Sequence, residues 1–370
     1  MEDFSRFQGL DDWQVVCQLL PQGWREAARE QGALRRTRGI ADAELLLRIL
    51  LVHLADGCSL KETALRAAQA DWCSISAVAL HKRLMACEQW LRWMCERLWF
   101  RHPKTALGNR YRVRAVDATT VQEHGSTGTD WRVHFVIDLS SLQCDHYELT
   151  DVKGGETFRR IPIRKGDLIL GDRAYGTPPG IGHVVKHGGA VLVRVNHKSL
   201  PLWEKNGNRL PLTSRLSATR IGQPAEWATV VQTPNGPVEG RLVAIRRGVQ
   251  AAKQARRQLK RRARKKQKRL SRQALHAAGF VYVWTTIPTD VLDAAGVLEL
   301  YRMRWQIELS FKRMKSLLGL GQLPKRTGAS CRAWIHGKLL VALLIERLLE
   351  TAESFSPWGY GLGQSPEPVA

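Results

Sequence analysis

Apolar residues follow a helical period at the two ends of the chain and an alternating period in its middle. Within residues 12–100, the segments 41–55 and 84–100 repeat apolar side chains every three or four positions, as amphipathic helices do. The stretch between them predicts two short helices, at about 59–70 and 74–85, and Ser59 with Glu62 matches the capping pattern that begins a helix. The N-terminal part is therefore predicted to be helical.

The two short helices allow two interpretations. Two compact helices with a short joint, of which the second ends in His81, Lys82 and Arg83, resemble a helix-turn-helix that reads DNA. The same pattern also fits the corner of a plain helical bundle. Lys82 and Arg83 are the DNA-binding candidates of the first interpretation.

From Tyr111 onward the pattern alternates. YRVRAVDATT predicts one strand, WRVHFVIDLSSLQCDHYELTDV predicts two, and DLILG and AVLVRVN predict two more around a short helix at about 180–187. Asn235-Gly236 then predicts a β-hairpin, GFVYVWTTIP another strand, and the chain is helical again from about 289 to 319 and over 332–352. These elements predict the α/β class, with a mixed sheet and flanking helices.

The excess of basic residues indicates that this α/β protein has a polyanionic partner. The chain has 57 Lys and Arg against 34 Asp and Glu, a net charge of +23, and nucleic acid is the commonest partner of such a protein. Residues 246–272 alone hold 14 of the basic residues. The run 253–269 is either a solvated helix or tether, or a clamp on DNA phosphates. Its clamp candidates are Arg261, Arg262, Lys265 and Lys266.

Several classes of protein are not supported by the sequence. The seven cysteines are scattered without a C-x-x-C pair, which argues for a reducing compartment and against structural zinc. HExxH, P-loop and GxGxxG motifs are absent, so neither zinc hydrolysis nor a nucleotide cofactor is expected. The N-terminus lacks the pattern of a secretory signal, and the longest apolar run, LLVALLI, is short of the roughly 20 residues of a membrane span. We therefore expect a cytoplasmic, nucleoid-associated protein with no membrane partner.

The segment YRMRWQIELSFKRMKSLLGL, residues 301–320, places one acid among basic residues. On a single helix at about 100° per residue, five of its polar side chains share an arc of about 80°: Tyr301, Arg304, Glu308, Lys312 and Lys315. The apolar residues gather on the adjacent face, which predicts that this face is buried. A basic amphipathic helix with one glutamate would look the same, so the arc alone assigns no function.

Two aspartates are candidates to form a site together with Glu308. Asp117 and Asp172 each end an apolar strand, where a carboxylate suits a site at the edge of a sheet better than a core. Carboxylate oxygens are the ligands that Mg²⁺ prefers, and two such ions can promote cleavage of a phosphodiester. The competing acids are Asp138, Asp145, Asp151 and Asp167.

Three motifs resemble those of the DDE transposases of bacterial insertion sequences. They are VDATT around Asp117, GDRAYG around Asp172, and the spacing Tyr301-x2-Arg304-x3-Glu308-x6-Lys315. The last is similar at all four positions to the Y-R-E-K signature of the insertion-sequence-four family. The resemblance covers about residues 117–320 and implies a ribonuclease-H-like fold with a β-rich insertion between the second acid and the glutamate.

With this resemblance the chain divides into five expected parts. They are a helical DNA-binding domain (1–105), the first part of a catalytic domain (106–200), a β-rich basic insertion (201–280), the rest of the catalytic domain with the Glu-bearing helix and a C-terminal helix (281–352), and a flexible tail (353–370).

The resemblance also implies roles for single residues. Asp117, Asp172 and Glu308 would ligate two Mg²⁺ or Mn²⁺ ions and form the catalytic set. Tyr301, Arg304 and Lys315 would contact phosphates of the element's end, and the helix geometry adds Lys312. Related enzymes stack a tryptophan of the insertion on a flipped base, for which Trp284 is the nearest candidate here, although a tryptophan in a strand is commonly part of the core.

The implied function is that of a DNA transposase. It would act as a homodimer on double-stranded DNA, bind terminal inverted repeats, cleave the element's ends by metal-dependent hydrolysis and join the 3′-hydroxyl ends to target DNA. Two alternatives stay open from the sequence: a ribonuclease-H-like nuclease or resolvase without strand transfer, and a catalytically silent DNA-binding derivative.

Overall fold

A computed structural model describes residues 11–35, 39–98, 110–123, 125–126, 128–265, 267–324 and 328–353. The tail expected over 353–370 lies outside the described residues from position 354 onward, and so does Lys266.

The N-terminal part is helical, as expected. Its described residues form the helices α1 (Asp12–Leu19), α2 (Trp24–Glu30), α3 (Ala43–Leu54), α4 (Leu60–Gln69), α5 (Ala77–Ala86) and α6 (Glu88–Leu98). The two short helices are α4 and α5, and the Ser59 hydroxyl accepts a hydrogen bond from the Glu62 amide at 3.1 Å, which caps the first. Residues 70–76 join them, a longer joint than the turn of roughly 3–4 residues in a helix-turn-helix. The DNA-reading role of this pair stays a prediction.

The central sheet begins with five strands in the order β3-β2-β1-β4-β5. They are β1 (Arg112–Glu123), β2 (Trp131–Asp138), β3 (Cys144–Asp151), β4 (Asp167–Gly171) and β5 (Ala190–Arg194), and α7 (Pro178–Lys186) connects the last two. The first three strands are antiparallel, and β4 and β5 run parallel to β1. This mixed sheet with flanking helices is consistent with the ribonuclease-H-like fold, so the predicted fold class is confirmed.

The insertion enlarges this sheet instead of building a separate one. Its elements are α8 (Leu212–Ser217), β6 (Ala225–Thr233), β7 (Gly236–Arg246), α9 (Val249–Lys265) and α10 (Arg272–Ala277), followed by β8 (Phe280–Thr285). The sheet order continues β5-β8-β7-β6 with antiparallel pairs. The predicted hairpin is confirmed, but its loop is Pro234 and Asn235, while Gly236 begins the second strand with φ +105°.

The C-terminal part corrects the expectation of one helix over residues 301–320. Two helices, α11 (Ala294–Met303) and α12 (Trp305–Ser316), meet at Arg304. At this break the Arg304 amide bonds to the Tyr301 carbonyl at 3.2 Å, and the Ile307 amide bonds to the Arg304 carbonyl at 3.3 Å. Because α11 packs on β5 and β7 while α12 packs on β1, the chain must bend to follow the twisted sheet. The short strand β9 (Gln322–Leu323) then pairs with β1, and α13 (Gly328–Glu353) follows.

The two faces of the sheet bury two separate cores. Alternation along β4 shows the division, since Leu168 and Leu170 pack with the N-terminal helices and α11–α13, whereas Ile169 packs with α7 and the insertion. The N-terminal helices thus share one core with the sheet and α13. This shared core fixes the helical part against the face that carries α12.

Helix α13 is long and apolar enough, by length and composition, to cross a membrane over residues 328–349. The protein core, however, buries 72% of its apolar window. Its packing against α6, α5 and α3 explains its apolar composition as that of a core helix.

Glu346 on α13 generates a prediction about stability. Its carboxylate accepts a hydrogen bond from the Cys144 amide at 3.1 Å, and burial raises its pKa to about 7 from the ordinary value of 4.5. Because the folded pKa is the higher one, the stabilising contribution is complete below pH 4.5 and is lost as the pH rises through 7. Glu346→Gln keeps an acceptor without the charge, so it should raise the unfolding free energy at pH 8 by on the order of 2 kcal/mol.

Urea unfolding at pH 5 and pH 8 measures this effect, with the exposed Glu30→Gln as the matched control. The gain of Glu346→Gln should be clearly smaller at pH 5 than at pH 8. An equal gain at both values would mean that its charge does not oppose folding.

Candidate active site

Asp117 lies within β1 and not at its end as expected, whereas Asp172 directly follows β4, and the two aspartates lie level with each other on neighbouring strands. The β1–β4 ladder pairs Arg112 with Asp167 and Ala115 with Leu170, so the same register continued carries Asp117 level with Asp172. Parallel strands lie about 4.8 Å apart. Alternation puts both side chains on the face that carries Ala115 and Leu170, which is the face covered by α12. The structure therefore brings these two acids together.

Arg304 brings the third acid to the same place. Its guanidinium lies 3.3 Å from an Asp117 carboxylate oxygen through Nη1 and bonds Glu308 through Nη2. Arg304 is nearly buried, with 13% of its side chain exposed, whereas Glu308 is 57% exposed. The break between α11 and α12 places Arg304 between β1 and the first turn of α12, so one cation serves both carboxylates.

The other residues of the signature lie on the same two helices, Tyr301 on α11 and Lys315 on α12. The Tyr301 ring centroid lies 5.9 Å from the Arg304 guanidinium carbon, and burial raises the pKa of this tyrosine above its ordinary value. Lys312 and Lys315 are exposed on α12, and partial burial lowers the pKa of Lys315. Ile307, Phe311 and Met314 form the buried face of α12. The predicted division of this segment into a polar edge and an apolar face therefore holds within α12.

A fourth carboxylate at the site escaped the sequence analysis. Burial raises the pKa of Asp117 to about 6, and the negative charges of Asp172 and Glu156 add to that rise while Arg304 opposes it. Burial likewise raises the pKa of Glu156, with Asp172 contributing. Glu156 lies in a loop after two glycines, so no strand-end pattern marked it. Its charge nevertheless acts on the same pair of aspartates.

The competing acids have structural roles. Asp138 and Asp167 form buried ion pairs with Arg112 and Arg114, at 3.0 Å and 2.8 Å respectively, and both arginines also bond Asp145. Asp151 is exposed at the end of β3 and accepts a bond from the Lys153 amide. The buried pairs tie β1 to β2, β3 and β4, so these acids are paired within the sheet, which leaves Asp117 and Asp172 as the candidates.

The donor set fits a hard divalent cation in its chemistry. Its members are carboxylates, which Mg²⁺ and Mn²⁺ prefer over nitrogen or sulfur ligands. Within the ranges that the structure describes, no three His, Cys, Asp or Glu side chains are close enough to hold a metal ion together. The Arg304 guanidinium supplies the positive charge between Asp117 and Glu308 that a cation would supply.

The remaining candidates are Trp284 and basic residues of α5 and α9. Trp284 is fully buried, and its indole N–H donates to the Thr229 hydroxyl at 3.0 Å, so this placement gives no free ring face for a base. Lys82 is exposed and Arg83 half-buried on α5. Arg261, Arg262 and Lys265 are exposed on α9, so the basic run forms a helix up to Lys265.

Comparisons with known proteins agree with this site. Residues 108–344 match the sequence profile described as the transposase DDE domain. The chain is 31% identical to the transposase for insertion sequence element IS421 of Escherichia coli, over 95% of this chain and 97% of that protein. The InsL protein for insertion sequence element IS186A of Escherichia coli (strain K12) gives the same identity and coverage. The transposase for insertion sequence element IS1151 of Clostridium perfringens is 31% identical over 19% of this chain and 15% of that protein.

The profile spans the strands that carry Asp117 and Asp172 and the helix that carries Glu308, and the full-length similarity extends through the helical N-terminal part. Sheet order, placement of the acids and similarity thus lead to one conclusion: the chain belongs to the DDE transposases of insertion sequence elements.

Proposed function

We propose that the chain binds the terminal inverted repeats of an insertion sequence, cleaves the element's ends by metal-dependent hydrolysis and joins the 3′-hydroxyl ends to target DNA. It acts as a homodimer that pairs two ends, on double-stranded DNA, in the cytoplasm at the nucleoid. The observation that carries the proposal is Arg304, which bonds Asp117 on β1, 187 positions earlier in the sequence, and also Glu308 on α12.

In this proposal the carboxylates hold two divalent ions, Mg²⁺ or Mn²⁺. Asp117, Asp172 and Glu308 are the ligands, and Glu156 adds negative charge beside them. Bound ions would activate the attacking water or hydroxyl and stabilise the leaving oxygen. With the carboxylates engaged by such ions, the Arg304 guanidinium would be available to a DNA phosphate.

The cations near the acids hold the substrate in register. In this proposal, phosphates next to the scissile bond are contacted by residues of α11, of α12 and of the break between them, namely Tyr301, Arg304, Lys312 and Lys315. Phosphate contacts fix the position of a duplex without reading its sequence. The exposed residues of α9 extend this basic surface, and Lys82 and Arg83 on α5 belong to the helical part proposed to bind the inverted repeat.

Neutralising one acid should separate cleavage from binding. In Glu308→Gln, cleavage and strand transfer should fall by at least about a hundredfold because a charged ligand is lost, while affinity for the end duplex stays equal or rises as a negative charge disappears. Asp117→Asn and Asp172→Asn should behave alike. The measurement is a Mg²⁺-dependent cleavage and plasmid-joining assay beside a binding titration.

Glu299→Gln, an exposed glutamate on α11, is the matched control and should retain activity. Normal cutting by Glu308→Gln would refute the assignment of the site. Cleavage by the wild-type protein without joining would identify a nuclease or resolvase, and binding without cleavage a catalytically silent derivative.

Removing Arg304 should expose the carboxylates to added cations. In Arg304→Met, Asp117 and Glu308 lose their shared counter-charge, so stability in chelator should fall by about 1 kcal/mol. Mg²⁺ should then raise the melting temperature of this variant more than that of the wild-type protein, because it no longer competes with a guanidinium. Thermal unfolding with and without Mg²⁺ measures both effects, and the exposed Arg302→Met is the control. Equal Mg²⁺ shifts in all three proteins would exclude the competition.

The basic helix α9 should contribute to DNA affinity in a salt-dependent manner. Each lost phosphate contact lowers the slope of log K against log salt by about 0.9, so replacing Arg261, Arg262 and Lys265 by Gln should lower it by about 2–3. Titrations of a duplex at several salt concentrations measure the slope. A charge-matched control replaces Arg92, Lys205 and Arg215, which already pair with acids. An unchanged slope in the α9 variant would make the helix a tether.

A further inference from the structure

Three arginines without acidic partners lie beside the carboxylates of the site. Arg194 ends β5, Arg173 follows Asp172, and Arg247 follows the last residue of β7. No carboxylate lies within ion-pairing distance of any of them in the described part of the chain. Arg173 is exposed, but Arg194 and Arg247 are partly buried, where other arginines of the sheet such as Arg112, Arg114 and Arg241 have acidic partners. A cluster of like charges with this arrangement is suited to an anionic ligand.

The register of the sheet places Arg194 in the same row as the catalytic aspartates. The β4–β5 ladder pairs Gly171 with Val193, so the next residues, Asp172 and Arg194, leave neighbouring parallel strands at one level. Alternation puts Arg194 on the face of Leu192, which is the face that carries α11 and α12. Across β1, β4 and β5 the row therefore reads Asp117, Asp172, Arg194, and its charge changes sign between the second and third positions.

Arg247 continues this positive surface towards α9. The Arg194 position pairs with Val283 on β8, and β7 runs along β8 as far as the pair of Arg246 with Phe280. The Arg247 amide then bonds to the Gly279 carbonyl at 2.9 Å, just before α9 begins at Val249. Arg247 thus stands between the row of the active site and the basic helix.

Two of the three guanidinium groups are incompletely bonded. The Nε atoms of Arg194 and Arg247 are buried, and neither has a hydrogen-bond partner among the residues that the structure describes. Burial lowers the pKa of Arg194 to about 10, and the positive charges of Arg173 and Arg247 act in the same direction. Buried donors that lack acceptors cost free energy unless a ligand supplies the acceptors.

We propose that Arg173, Arg194 and Arg247 form a second phosphate-binding site, which holds the DNA strand on the side of the active site opposite to Lys312 and Lys315 and guides it onto α9. This inference rests on the proposed function, because it takes the ligand to be the phosphodiester backbone of the DNA that enters the active site. A phosphate offers the several oxygen acceptors that converging guanidinium groups require. Together with the signature residues, the cluster would hold phosphates on both sides of the scissile bond.

The test compares Arg194→Gln and Arg247→Gln in the full-length protein, with Arg215→Gln as the control. Arg215 is an exposed arginine of α8 that already pairs with Glu204 at 2.8 Å, so it should release no counterion on DNA binding. The probes are a labelled duplex with the inverted repeat that flanks the gene and a short oligothymidylate. The two readouts are the salt slope of binding and the melting temperature without DNA.

Each cluster variant should bind both probes about tenfold more weakly at low salt and lose about one unit of salt slope, while Arg215→Gln keeps the wild-type slope. The melting temperature without DNA should stay equal or rise, because repulsion among the arginines is relieved. A wild-type slope in both cluster variants, or a lowered melting temperature with an unchanged slope, would overturn the inference in favour of a structural role.

Binding and cleavage measured on the wild-type protein distinguish a failure of this inference from a failure of the proposed function. If it binds and cleaves the end duplex while both cluster variants keep its salt slope, only the second phosphate site is refuted. If the wild-type protein neither binds nor cleaves the duplex, the proposed function fails, and the phosphate site fails with it.

Discussion

The ion pairs of Arg304 with Asp117 and Glu308 are the interaction on which the organisation of the site depends. They join Asp117 on β1 to the start of α12, where Arg304 lies 187 positions later in the sequence. A guanidinium can do this because it is planar and always charged, and it offers donors in two directions. The break between α11 and α12 places this guanidinium where it reaches both acids. The bend of the chain therefore determines how the charges of the site are arranged.

Below this interaction, buried ion pairs hold the sheet in the register that the site requires. Arg112 and Arg114 on β1 bind Asp138, Asp145 and Asp167, which lie on β2, β3 and β4. Removing one partner of such a pair leaves an uncompensated buried charge, so the register is strongly specified. The same β1–β4 pairing then carries Asp117 level with Asp172. One strand therefore uses buried charge for structure at its beginning and half-buried charge for function further along.

The sequence predicted most of this architecture because local patterns determine most of it. Alternation identified the strands, and a charged residue after an apolar run identified Asp117 and Asp172. Three features depend on distant contacts and could not be read locally. The break at Arg304 follows from the twist of a sheet that α11 and α12 contact at different strands. Glu156 reaches the site by the path of a loop. Trp284 is in the core because β7 and the hydroxyl of Thr229 on β6 enclose it.

The pattern of a charged residue at the end of an apolar run also applies to Arg194. This residue ends the apolar run AVLVR just as Asp172 follows DLILG, so the reasoning that selected the acids applies to it without change. In the row of Asp117, Asp172 and Arg194, the charge changes sign before the arginine, and like charges act on one another on each side of this sign change. Asp172 and Glu156 act on Asp117 while Arg173 and Arg247 act on Arg194, and this repulsion costs stability in the protein alone. Metal ions would compensate the acids and phosphates would compensate the arginines, so a metal-bound DNA strand resolves both. The arrangement is therefore better explained by the charged substrate than by the stability of the free protein.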